Sequence, residues 1–377
     1  VLDLLCKQVS NAAQTINAPF WFVAWFGLHR YVSFQSALVV NAVGFACWLG
    51  LLALVILVRR WLLRPRTPAA VARPESADAD RSPASPSRRA FLTDSVIVAG
   101  AACSGVAGVY STFVTPWSLS LVRHRIPIPN LPHALDGIRL VQLTDTHLGP
   151  RIPASFIRQA VDMAIGLDPD LFVLTGDYVH MGRSYIEPAA ALFKPLSETR
   201  AGRLGVIGVI GNHDHYADAG AVRAALAGVG VRVLHNQRLF LDESRGLARI
   251  LRTDASLCIA GVDDLLEGTP DLRESLGGVP DDVPRVLLSH NPDYAEDSIL
   301  KAFRADLMIS GHTHGGQVRL PVVGSPLIPS RFGQKYAHGL VRGPHCPVLV
   351  GAGVGMSLLP VRVGVDPEVV EITLTRA

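Results

Sequence analysis

The sequence predicts an α/β domain preceded by membrane-crossing helices, and three observations predict it. Residues 36–58 carry no formal charge. Beyond residue 126, short apolar runs stop repeatedly at clusters of Asp, Asn or His with helical patterns between them, as when a sheet delivers side chains to one edge. Hydrophobic residues make up 49% of the 377-residue chain and charged residues only 18%, with mean hydropathy +0.30, an apolar balance for a wholly soluble protein.

The same composition excludes several classes. The formal net charge of +3 and the scattered basic residues do not form the stripe that nucleic-acid binding requires, so no nucleic-acid partner is expected. The five cysteines (Cys6, Cys47, Cys103, Cys258, Cys346) show no CxxC spacing, and an odd number cannot all pair within one chain. With 34 Gly and 26 Pro but no three-residue period, the chain is not collagen-like.

Taken from the N-terminus, residues 1–62 read as a membrane region whose span lies at about 36–58, long enough as a helix to cross about 30 Å of hydrocarbon. Residues 19–28 are rich in Trp and Phe but too short to cross alone. Residues 63–90 turn abruptly to Arg, Pro, Ala, Ser and Asp, a flexible basic tether. From 59 to 90 there are eight arginines against three acidic residues, which the positive-inside rule places in the cytoplasm. Residues 91–118 follow Arg88-Arg89 as a second membrane segment resembling a twin-arginine export signal, although such a signal normally opens a chain and Thr93 stands where lysine is common. No A-x-A cleavage site follows, so the segment is expected to remain as an anchor. Residues 126–377 are expected to form one globular domain of roughly 250 residues.

Five apolar runs organise that domain. Residues 138–144 end at Asp145-Thr146-His147, 171–175 at Gly176-Asp177, 206–210 at Gly211-Asn212-His213-Asp214, 286–289 at His290-Asn291, and 307–310 at Gly311-His312-Thr313-His314. Helical patterns run over 154–165 and 219–226. Imidazole and carboxylate suit Zn, Fe or Mn, and the clusters contain no cysteine for a structural thiolate site. Asp145, His147, Asp177, Asn212, His290, His312 and His314 are seven candidate ligands, too many for one tetrahedral ion and right for two ions sharing a bridging carboxylate.

In this order, D-x-H, G-D, G-N-H-D, a lone His and G-H-x-H resemble the calcineurin-like metallophosphoesterase family over residues 138–314. Gly315-Gly316-Gln317-Val318, Pro360-Val361-Arg362 and Pro367-Glu368 resemble its bacterial membrane-attached or exported subgroup. The resemblance implies a four-layer α/β/β/α sandwich of two mixed sheets flanked by helices. It also implies that Asp145, His147 and His314 bind one metal, that Asn212, His290 and His312 bind a second, and that Asp177 bridges them. The ions would be two divalent or mixed-valence transition metals, Mn, Fe or Zn. Two such cations neutralise phosphate oxygens and acidify a bridging water, supplying hydroxide for in-line attack. His213 is then the candidate to protonate the leaving oxygen.

One departure concerns His180, which stands where many relatives carry a second aspartate that orients the catalytic histidine; the orienting partner of His213 is thereby left open, with Asp214 one candidate, and a phosphoprotein phosphatase is disfavoured. His180 and His215 are expected at the surface or the substrate mouth, and Asp263-Asp264 in a turn or facing substrate. Arg331 and Arg362 are candidates to grip a phosphate with their planar forks.

The reading is a membrane-anchored dinuclear phosphoesterase in the bacterial cytoplasmic membrane, with its catalytic domain extracytoplasmic. It would act on a phosphomonoester or phosphodiester of an envelope or lipid-linked compound, with membrane lipid as its other partner. The alternatives are an idle metal-binding scaffold or sensor of the same fold, and a cytoplasm-facing phosphodiesterase acting on nucleotides or lipid precursors.

Overall fold

A computed structural model describes residues 110–377 apart from 243, 245, 249–255 and 358–360, together with 95, 99, 100 and 106–108. The chain divides into two compact units, Val1–Tyr110 and Ser111–Ala377. Among the described residues no helix is long and apolar enough to cross a membrane. The span expected at 36–58, the tether at 63–90 and nearly half of the segment at 91–118 lie outside them.

In the second unit, β1 (Ser120–Ile128) contains the expected domain start at 126 within it. β2 (Ile138–Leu143), β3 (Leu171–Thr175), β4 (Val206–Val209), β5 (Val231–Val233) and β13 (Glu368–Arg376) complete a six-stranded mixed sheet in the order β1-β13-β2-β3-β4-β5. Only the β13–β2 pair is antiparallel. The second sheet is also mixed. It joins β6 (Gln237–Asp242), β7 (Leu247–Ala248), β8 (Ser256–Gly261), β9 (Arg285–Leu288), β10 (Leu307–Ser310), β11 (Gly339–Arg342) and β12 (Pro347–Val350) in the order β11-β12-β10-β9-β8-β6-β7.

Helices α1 (Ala154–Gly166), α2 (Ile186–Glu198), α3 (Asn212–Ala217), α4 (Ala219–Gly228) and α5 (Leu272–Leu276) pack on these sheets. α1 follows the extended Pro153, which cannot donate to a preceding turn. It then buries Phe156, Ile157, Ala160, Val161 and Ala164, the single stripe expected at 3.6 residues per turn.

Three apolar clusters separate four layers. Side chains alternate across a strand, so each central strand feeds two clusters. On β3, Phe172 and Leu174 meet α1, α2 and α4, while Leu171 and Val173 join Leu257, Ile259, Val286, Leu288, Leu307 and Ile309 between the sheets. Beyond the second sheet, Cys258, Leu287 and Met308 pack with Leu272 and Leu276 of α5 and with Tyr294, Leu300 and Tyr336 from short 3₁₀ turns. Burial on both faces is why these strands read as continuous apolar runs rather than alternating ones.

The layer between the sheets is therefore the part most sensitive to volume. Ile259→Ala is expected to lower unfolding free energy by about 3 kcal/mol in chemical denaturation. Leu340→Ala, at an exposed position, should change it by less than about 0.5 kcal/mol.

Candidate metal centre

The C-terminal ends of β2, β3 and β4 in one sheet and of β9 and β10 in the other open onto the same edge. They are tied together there: Gln142 donates to Thr175 Oγ1 at 2.8 Å and to the Ser310 carbonyl at 2.9 Å, and the His312 N–H donates to both oxygens of Asp145 at 3.1 and 3.0 Å. Thr144 Oγ1 donates to Asp145 Oδ2 at 2.7 Å.

Two buried triads form at this edge. In the first, His147 Nε2 lies 2.9 Å from His314 Nε2 and 3.8 Å from Asp145 Oδ1, and His314 Nε2 lies 3.3 Å from Asp145 Oδ1. In the second, His290, His312 and Asp177 converge, with His290 Nε2 3.2 Å from Asp177 Oδ2. Asp177 joins the two triads, since the same Oδ2 is 3.4 Å from His147 Nε2. Its other oxygen, Oδ1, accepts the His213 backbone N–H at 2.9 Å, which fixes the carboxylate's rotation. Asn212 opens α3 at the second triad's side of the sheet, buried, with Oδ1 lacking a hydrogen-bond partner.

The backbone is bent to achieve this. Asp145, His147, Asp177, His312 and His314 all adopt φ between +47° and +71°, a region sparsely populated by residues with a Cβ. Close approach adds a second constraint at Gly211, where a Cβ would collide with Asp177 Oδ1 and the His290 ring, so no other residue fits.

The donor set fits a pair of cations. Buried nitrogens and oxygens are normally satisfied, yet His147 Nδ1, Asn212 Oδ1, His290 Nε2 and His314 Nδ1 have no hydrogen-bond partner. His290 Nδ1 donates to the Thr175 carbonyl at 2.7 Å, so Nε2 presents its lone pair inward, the arrangement by which metal-binding imidazoles are oriented. Burial pushes the His312 ring down to about 4 and holds His314 well below the usual imidazole range, leaving both neutral near pH 7. Burial alone would raise the Asp177 carboxyl, but the facing His290 and His213 outweigh it and hold it well below the usual carboxylate range.

His213 sits at the rim, half-buried, with its ring edge-on to His147 at a centroid distance of 4.6 Å. Its Nδ1 lies 2.6 Å from the His180 carbonyl. A carbonyl only accepts, so Nδ1 carries the proton and Nε2 is left for chemistry. The partner that orients His213 is thus a main-chain oxygen, and the His180 ring stacks on it at 5.2 Å. Asp214, one candidate from the sequence, does not take this role. It is fully buried and accepts the backbone N–H groups of Gly211, Asp177, Tyr178 and Val179, bracing both loops.

Arg362 also departs from expectation. Its side chain is fully buried, and the guanidinium donates to the carbonyls of Ala352, Gly353, Gly355 and Asp366. It braces a glycine-rich loop that passes against Asp145 and cannot grip a substrate phosphate. The signal for this lay in Gly351-Ala352-Gly353-Val354-Gly355, a run of small residues whose carbonyls need a donor. Arg331 is exposed, and its backbone N–H donates to Asp293 Oδ2 at 2.7 Å. His215 Nε2 pairs with Asp263 Oδ1 at 2.9 Å, while Asp264 accepts the N–H groups of Leu266 and Glu267, so this acidic pair closes a turn. Sequence reasoning did not single out Tyr216, whose half-exposed ring stands edge-on to His213 at 5.3 Å beside Glu267.

A family model of calcineurin-like phosphoesterases matches residues 138–316. A Bacillus subtilis (strain 168) protein named uncharacterized metallophosphoesterase YkuE is 31% identical over 293 residues, 76% of this chain and 97% of that protein. The Escherichia coli (strain K12) phosphodiesterase YaeI is 31% identical over 296 residues, 76% of this chain and 99% of YaeI. A Danio rerio protein named transmembrane protein with metallophosphoesterase domain is 32% identical over 285 residues, 73% of this chain and 61% of its own length.

Asp214→Ala should destabilise the unit by about 3 kcal/mol or more, because an unsatisfied buried N–H costs roughly 1–3 kcal/mol and four would be left. Chemical denaturation of the variant against the parent measures it.

Proposed function

The chain belongs to the calcineurin-like phosphoesterase family and is a metal-dependent phosphoric ester hydrolase; from that premise we propose that it is a membrane-anchored dinuclear enzyme. It hydrolyses a phosphomonoester or phosphodiester of an envelope or lipid-linked compound. The observation that carries the dinuclear reading is the placement of Asp177 Oδ2 between His147 Nε2 at 3.4 Å and His290 Nε2 at 3.2 Å. In this reading Asp145, His147 and His314 would hold one ion, Asn212, His290 and His312 would hold the other, and Asp177 would be shared between them. Mn, Fe or Zn would suit this donor set. When bound, they supply Lewis acidity, neutralising phosphoryl oxygens and acidifying a water molecule.

The protein's own groups do the rest. His213 keeps its Nδ1 proton on the His180 carbonyl, so it serves as the acid as an imidazolium, giving the second proton, on Nε2, to the leaving oxygen and returning to the neutral ring. Burial lowers the His213 pKa, so the imidazolium is a stronger acid and is populated toward lower pH. Arg331 offers an exposed guanidinium to a phosphate or to an adjoining anionic group of the substrate.

The membrane reading is supported by the uncharged run at 36–58 and the net charge of +5 over 59–90, which favour a cytoplasmic tether and a catalytic domain on the other side of the membrane. The Danio rerio relative, named a transmembrane protein, supports a membrane location for proteins of this kind. Tethering raises the effective concentration of a surface-bound substrate without any further contact, which favours lipid-linked phosphates over soluble ones.

Turnover of generic phosphomonoester and phosphodiester substrates by the full chain tests the enzymatic reading. Metal-stripped protein should be inactive and regain activity with Mn, Fe or Zn. Asp177→Asn should abolish turnover, and His213→Ala should lower kcat by about 10²–10⁴-fold while both ions stay bound. Unchanged kcat in His213→Ala would remove the proposed acid.

A further inference from the structure

We propose that the hairpin tip Pro321-Val322-Val323 is a lipid-contacting element that dips into the surface of an anionic bilayer beside the metal centre. This deepens the membrane-anchored reading above and rests on it for the presence of a membrane.

The tip is apolar and unburied. Val322 is 107% exposed and Val323 67%, with Leu320 at 41%. Val322 also holds φ at +69°, a left-handed conformation that a β-branched residue adopts only under strain. A solvent-exposed turn would ordinarily place Gly or Asn there. Retaining valine, at a conformational cost and with its whole side chain in water, points to a use for the apolar surface outside the fold.

The hairpin is built rather than loose. Leu320 donates to the Gly324 carbonyl at 2.8 Å, Gly324 donates back at 3.0 Å, and Val323 donates to the Pro321 carbonyl at 2.8 Å. Its base is fixed to the site: the Arg319 N–H donates to the Val363 carbonyl at 2.7 Å, and Ser325 Oγ donates to the carbonyl of Gly315, the residue after His314, at 2.8 Å. The Gln334 side chain bonds the Ser325 backbone, which ties the segment after the tip to the chain beyond it.

Charge identifies the partner. From 307 to 365 the chain contains no Asp or Glu, and of its five basic residues Arg319, Arg331 and Arg342 are exposed, while Lys335 pairs with Glu296 and Arg362 is buried. Arg319, next to Leu320 at the base of the tip, and Arg331, in the following segment, are both exposed. An apolar point flanked by arginines matches a bilayer with negative headgroups, where acyl chains receive the valines and phosphates receive the guanidinium groups. A lipid-linked phosphate ester presented at that surface would then lie at the level of the ligand-bearing edge.

The test uses the full chain with Val322→Trp and, should that variant fold poorly, Val323→Trp. Each is mixed with vesicles of brominated phosphatidylglycerol and phosphatidylcholine, or of brominated phosphatidylcholine alone, and the parent's emission from its five tryptophans is subtracted. The expected result is a blue-shifted extra emission quenched in the anionic vesicles. Adding Arg319→Gln should raise the lipid concentration needed for half-quenching by about fivefold, from about 1 kcal/mol per basic residue at an anionic surface. Water-like, unquenched extra emission in both vesicle types would overturn the proposal, as would a blue shift that depends on protein concentration and appears without lipid. Hydrolysis of a soluble diester by the parent is read alongside, so that a failure of the phosphoesterase reading is seen separately from a failure of lipid contact.

Discussion

A carboxylate with no access to water, held between two imidazoles of different triads, is the constraint on which the rest of this structure depends. Asp177 cannot leave that position: its Oδ1 is tied to the His213 N–H, its loop is held by Asp214, and the neighbouring Gly211 has no Cβ to push it away. Grouping so many buried donors without hydrogen-bond partners is costly for an apoprotein and becomes favourable when cations complete the set. The site is in this sense a demand for charge, and the two-sheet architecture supplies the rigidity to maintain it.

That rigidity comes from both sides of the sandwich. One sheet contributes Asp145, His147, Asp177 and Asn212 from its strand ends, and the other contributes His290, His312 and His314. Bonds from Gln142 and from the His312 N–H stitch the two edges, so the relative position of the sheets sets the relative position of the triads. Arg362 extends the bracing inward from a third direction. Its fully buried guanidinium holds the loop that passes against Asp145, a use of arginine as a backbone clamp rather than as a phosphate receptor.

Much of this was legible before any coordinates. The five strands that deliver the ligands are buried on both faces, so each reads as an apolar run, and each ends at its functional residues because the sheet stops there. Helices α1 and α4 were equally plain from their periodicity. The groups that brace the site were not. A main-chain carbonyl has no letter in a sequence, so the partner of His213 could not be read, and the nearby Asp214 stood only as a candidate. Arg362 was misplaced because a lone arginine looks the same whether it faces a ligand or a nest of carbonyls; only the glycine-rich run beside it hinted at the answer. The left-handed backbone at five ligand positions was hidden for a similar reason, since Asp and His give no sign of it where Gly would. Pairing between β1 and β13, 248 residues apart in register, also leaves no local trace.

Anomalous diffraction from crystals of the metal-loaded full chain would locate the ions. Two peaks per chain are expected, one among Asp145, His147 and His314 and one among Asn212, His290 and His312, with the Asp177 carboxylate between them. A single peak, or two peaks of which neither neighbours Asp177, would contradict this arrangement.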